Sequence, residues 1–145
     1  MTPLVRRYIK TSFVFLVAGL LVGAYVVVAQ FVFDTYPPRL LVTTHTHLLL
    51  VGFMLMLVMG VATWMFPRPA RDDPGYRPGV AEAVYWVMTL STALRAIAEI
   101  LVAVAGTLGI RWLIALAGLG QLVGAALFAL NMWRRVRMPP AALPR

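Results

Sequence analysis

The chain has 145 residues, of which 61% are hydrophobic and 12% charged, with a mean hydropathy of +0.85. A water-soluble domain is nearer half apolar and about a quarter charged, so this composition describes an integral membrane protein. Cysteine is absent, which excludes disulfides, thiolate metal centres and cysteine nucleophiles, and the net charge of +8 has to find its place among loops.

Four apolar stretches, each long enough for a hydrocarbon core of about 30 Å, predict four transmembrane helices in an all-α fold. The first covers about residues 11–33 and carries no small-residue cleavage site, so no cleavable signal is expected. "DTYPPR" ends it, because proline cannot continue a helix. The second stretch covers about 40–66 and stops at "PRPARDDPGYRPG", where Asp72 and Asp73 read as part of a solvated turn. The third covers about 80–105, "GTLG" follows, and the fourth covers about 112–133. The tail 138–145, "MPPAALPR", is expected to be flexible, and the chain reads as a single four-helix domain.

The cations predict orientation. Arg6, Arg7 and Lys10 precede the first span, Arg68, Arg71 and Arg77 fill the second loop, and Arg134, Arg135 and Arg137 follow the fourth. The other two loops hold only Arg39 and Arg111. The positive-inside rule then places both termini in the cytoplasm, on a bacterial-type inner membrane, and the basic excess needs no nucleic acid. Gly19 and Gly23 on the first span, and Gly120 and Gly124 on the fourth, have the spacing of close helix contacts, with packing inside one chain the first expectation.

Both histidines lie in "TTHTHLLLVGFMLMLVMGVATWMFPR", near the start of the second span. Residues two apart on an α-helix point about 200° from each other, so His45 and His47 face opposite flanks and do not readily grip one ion. An imidazole in lipid needs partners for its N–H and its lone pair, and either haem iron or a neighbouring helix can supply one. Thr43, Thr44 and Thr46 read as helix residues bonded to their own backbone, with one of them a candidate acceptor for an imidazole N–H. Rings that merely bond to neighbouring carbonyls would argue against iron.

The segment resembles the second helix of haem–copper oxidase subunit I and its nitric oxide reductase relatives, in which a T-x-H supplies an axial haem ligand. Gly60, Trp64 and Pro67 follow at close to the family's spacing, and His45 takes the ligand's place. The H-T-H also resembles an H-x-H on a later helix of that family, whose second histidine is the partner ligand, and His47 takes that place. The resemblance implies b-type haem with iron held by His45 and His47. It further implies a short relative of a twelve-helix subunit built from three arcs of four. A homotrimer would rebuild that count, with His45 of one copy facing His47 of the next, and a haem-sharing dimer is the alternative. The family's copper-site histidines and cross-linked tyrosine motif are missing, so copper is not expected and no complete binuclear centre can form. Whether the chain is an enzyme stays open; bis-histidine haem favours electron transfer, and a single ligand would favour binding or reduction of NO or O2.

Arg95 and Glu99 stand i, i+4 in "TALRAIAEILVA", where charges in lipid must pair. The alternatives are an ion pair that fastens helices, or Arg95 on a haem propionate with Glu99 holding Arg95 or an imidazole N–H. Gly52 either leaves room for a macrocycle or packs closely against a helix. Gln30 and Gln121 read as interhelical contacts, and Met54, Met56 and Met59 as packing or lipid contacts. The four tryptophans, with Tyr8, Tyr36 and Tyr85, read as an interfacial belt. The functional expectation is a redox haem protein. Its rivals are a gas-binding haem protein and a cofactor-free membrane scaffold or accessory subunit; the electron donor and acceptor are not legible.

Overall fold

The computed structural model describes residues 1–66, 78–133 and 135–136. It is all-helical among those residues, and four helices are long and apolar enough to cross a membrane. They are α1 (Pro3–Phe31), α2 (Arg39–Met65), α3 (Pro78–Ala105) and α4 (Arg111–Trp133). The turn at Asp72–Asp73 and the tail 138–145 lie outside the described residues.

Local chemistry sets the ends. α1 begins at Pro3 rather than near Thr11, because Thr2 caps it by accepting the Val5 N–H at 3.4 Å and proline fits the first helical turn. Its far end unwinds through Asp34, a left-handed residue with φ 47°, as the Thr35 N–H reaches back to the Ala29 carbonyl at 2.9 Å. Gly106, with φ +63°, ends α3 in the same way, and a 3₁₀ turn (Leu108–Ile110) leads into α4. Arg135 donates to the carbonyls of Thr63 and Phe66 at 3.1 and 3.0 Å, so the end of α4 satisfies orphan groups at the end of α2.

α2 is not uniform. Its first nine residues, Arg39–His47, are α-helical, Leu48–Leu55 are π-helical, and α-helix resumes at Met56. Hydrogen bonds from i to i+5 widen the helix immediately after His47 and rotate everything that follows. Such segments concentrate at functional sites.

α2 lies between α1 and α3, and α4 packs mainly along α3. The core at the α1–α2–α3 junction holds Tyr8, Phe15, Leu48, Met56, Met59, Val84, Tyr85 and Met88. Small residues bring the second contact close: a Cβ on Gly120 would collide with Ser91, and one on Gly124 would sit 2.6 Å from Met88 Sδ. These glycines therefore serve packing within the chain, α4 on α3.

Tyr8 and Tyr85 depart from the interfacial role expected of them. Both are buried, edge to face with ring centroids 5.1 Å apart, and the Tyr85 hydroxyl lies 2.8 Å from Thr11 Oγ1. Arg7 makes a two-pronged ion pair with Glu82 beside them. Tyr36 and the four tryptophans are exposed, and Trp64, Trp112 and Trp133 stand at helix ends, as a belt requires, while Trp86 lies more than two turns into α3.

Candidate functional site

The site begins with backbone chemistry. Thr43, Thr44 and Thr46 each donate their hydroxyl to the carbonyl four residues back, at 3.2, 2.8 and 3.0 Å. This keeps three polar side chains inside their own helix, so the apolar environment tolerates them. Thr44 is fully buried and, with Leu41 and Leu48, forms the core-facing strip of α2. His45 and His47 flank that strip on either side, both half-buried.

His45 turns toward α1. Its Nδ1 lies 2.8 Å from the Gly19 carbonyl oxygen, and its ring rests on Gly23, where a Cβ would stand 2.5 Å from Nδ1 and Cε1. The glycine pair on α1 is thus divided in function: Gly19 accepts the bond and Gly23 makes room for the ring. His47 turns the other way and bonds within its own helix, with Nδ1 2.9 Å from the Thr43 carbonyl oxygen. That acceptor is a main-chain carbonyl, not the threonine hydroxyl.

A carbonyl oxygen only accepts, so each Nδ1 must carry the hydrogen. In a neutral imidazole the lone pair then sits on Nε2. Neither Nε2 has a hydrogen-bond partner among the described residues. Both rings thus bond to neighbouring carbonyls, the arrangement expected to argue against iron. Each keeps its other nitrogen, however, and an Nδ1–H held by a carbonyl is also the usual support of a metal-binding histidine.

Arg95 and Glu99 meet each other rather than a histidine. Arg95 Nε donates to Glu99 Oε1 at 3.0 Å and Nη1 donates to Gln121 Oε1 at 3.2 Å. Gln121 Nε2 then donates to Thr92 Oγ1 at 3.2 Å. The result is a polar chain across the α3–α4 contact, and Gln121 is the interhelical link expected of it. Glu99 is 1% exposed, and its Oε2 is buried without a partner among the described residues. At Gly52 a Cβ would lie 2.8 Å from Phe15 Cβ and Cγ, so α1 fills the space there and close packing accounts for this glycine.

Two features had no signal that sequence reading picked up. One is the π-helical segment below His47. The other is a crevice of about 470 Å³ lined by Leu40, Arg95, Arg111, Ile114, Ala115 and Gly118. Arg111 looked like an ordinary loop cation, and only the packing of α4 on α3 sets it in line with Arg95. An apolar groove between α3 and α4, about 730 Å³, is lined by residues such as Leu90, Ile97, Leu116 and Val123. Neither cavity includes a histidine. No three side chains of histidine, cysteine, aspartate or glutamate converge among the described residues. Comparison with protein families, with curated proteins and with solved structures finds no match.

Proposed function

We propose that this chain is a multi-pass membrane protein that holds b-type haem through His45 and His47, at a boundary between copies of itself, and carries electrons. The observation that carries the reading is the pair of imidazoles with Nδ1 held by a carbonyl and Nε2 left without a partner, on opposite flanks of one helix. Haem ligated by two imidazoles supplies a one-electron couple with no open position for a gas. His45 is oriented by α1 and His47 by its own preceding turn, so both rings are held before any cofactor arrives. One copy does not readily bring both Nε2 atoms to one iron, because the rings diverge, so each iron would sit between two copies; a trimer would rebuild the twelve helices of the resembled family, and a dimer sharing haem is the alternative. The arginine-rich ends of the chain favour cytoplasmic termini on a bacterial-type inner membrane.

The test is the visible spectrum of purified protein together with its haem-to-protein ratio. A sharp Soret band, split visible bands on reduction and one haem per chain are the expected result, and His45→Ala and His47→Ala should each abolish it. An unchanged low-spin spectrum in either variant would sink the pairing.

A second reading rests on an observation of its own. The His45–Gly19 bond joins two helices without any cofactor, which is what a scaffold or accessory subunit needs. A colourless preparation from haem-replete cells selects that reading.

A further inference from the structure

The crevice between α2, α3 and α4 concentrates positive charge in an apolar setting. Arg111, Ile114, Ala115 and Gly118 follow i, i+3, i+4, i+7 spacing and so present one face of α4. Leu40 closes the α2 side, and Arg95 reaches in from α3. Gly118 keeps the passage open, because a Cβ there would stand 3.2 Å from Arg95 Nη1.

The charges do not balance. Arg95 gives Nε to Glu99 and Nη1 to Gln121, while Nη2 has no partner among the described residues. Arg111 has no hydrogen bond or ion pair among them either, and Glu99 is the one carboxylate that the polar chain contains. Two guanidinium groups therefore face one apolar crevice against a single buried carboxylate. Such an arrangement asks for an oxyanion, whose oxygens match the guanidinium fork.

We infer that this crevice binds the phosphate of an anionic phospholipid, with Arg111 on the phosphate, Leu40, Ile114 and Ala115 along the start of an acyl chain, and Arg95 two turns deeper, beside Gly118, adding to the positive field. Arg111 stands at the first residue of a membrane-spanning helix, the level of head groups. The walls directly below it, Leu40, Ile114 and Ala115, are hydrocarbon, which suits the start of a chain. A haem propionate was the other expectation for Arg95. Leu40 and His47, seven residues apart, lie within about 20° on the same side of α2, so the crevice is on the His47 flank. Yet neither histidine lines it, and a lipid satisfies it with or without iron. The inference stands apart from the haem assignment.

The test offers the full-length protein in neutral detergent equal amounts of phosphatidylglycerol and phosphatidylcholine, with retained lipid read by native mass spectrometry. Preferential retention of phosphatidylglycerol is expected. Arg111→Gln should lower the preference about fivefold, the weight of one arginine against an anionic lipid. Gly118→Val should lower it as well by filling the passage, while Arg39→Gln, at the same end of the bundle but outside the crevice, should leave it unchanged. Equal retention of the two lipids, or equal losses in Arg111→Gln and Arg39→Gln, overturns the site. Full displacement by millimolar inorganic phosphate overturns the lipid in favour of a free anion. Protein made without a haem supply should keep the preference; a preference seen only in that protein assigns the crevice to a haem carboxylate and overturns the lipid.

Discussion

Gly23 is the seat of the His45 ring. The two residues lie on different helices, and the hydrogen that replaces a side chain on Gly23 is what lets the imidazole lie flat enough to reach the Gly19 carbonyl. Orientation of the candidate ligand is therefore decided on α1, far from it in sequence.

Gly23→Ala should displace the ring and break its bond to Gly19. Overpacking of this kind costs about 1–3 kcal/mol. Denaturation of the cofactor-free protein in detergent measures the loss, and any Soret band should weaken in parallel. Gly79→Ala is the control, since a Cβ there meets nothing within 4 Å.

The two histidines should differ once haem is absent. His45→Ala removes a bond between helices, whereas His47→Ala removes one inside a single helix. His45→Ala should then be the more destabilising by about 0.6–1.7 kcal/mol, the span of interhelical hydrogen bonds in membranes. Equal thermal shifts in haem-free protein would contradict this asymmetry.

Glu99 is almost wholly buried and Arg95 has a 19% exposed side chain, so removing one partner strands the other in lipid or protein. Glu99→Leu or Arg95→Met alone should destabilise by about 3–5 kcal/mol. The double variant should recover much of that loss, because no uncompensated charge remains. A double-mutant cycle that summed to simple additivity would show that the two residues do not act as a pair.

The Arg7–Glu82 pair looks stronger than it is. Its side chains are 42% and 39% exposed, so its coupling energy should be about 0.2–1 kcal/mol despite the two-pronged geometry. Adding salt should shrink it further. Arg7 also lies 5.6 Å from the centre of the Tyr85 ring, and Arg7→Gln should therefore be milder than Arg7→Ala, which loses that packing as well.

Hydropathy and breakers alone determined four helices long and apolar enough to cross a membrane, in a chain that is all-helical among the described residues. The reason is that lipid thickness sets span length, and proline and glycine end helices through backbone geometry that needs no partner. The divergence of His45 and His47 was legible for the same kind of reason, being a property of 3.6 residues per turn. So was the Arg95–Glu99 pair, whose spacing puts both groups on one face of α3. What tertiary structure decided depends on which helix lies against which. Gly23 could be marked as a small residue, but only packing of α1 on α2 shows that an imidazole fills the gap. Gly52 could equally have faced a macrocycle until Phe15 was seen against it. Tyr8 and Tyr85 read as interfacial because they sit near span ends, and burial between α1 and α3 gave them another role. Arg111 became more than a loop cation once α4 lay along α3. The π-helical turn of α2 had no local marker, since its hydrogen bonds shift by one residue without any change in composition.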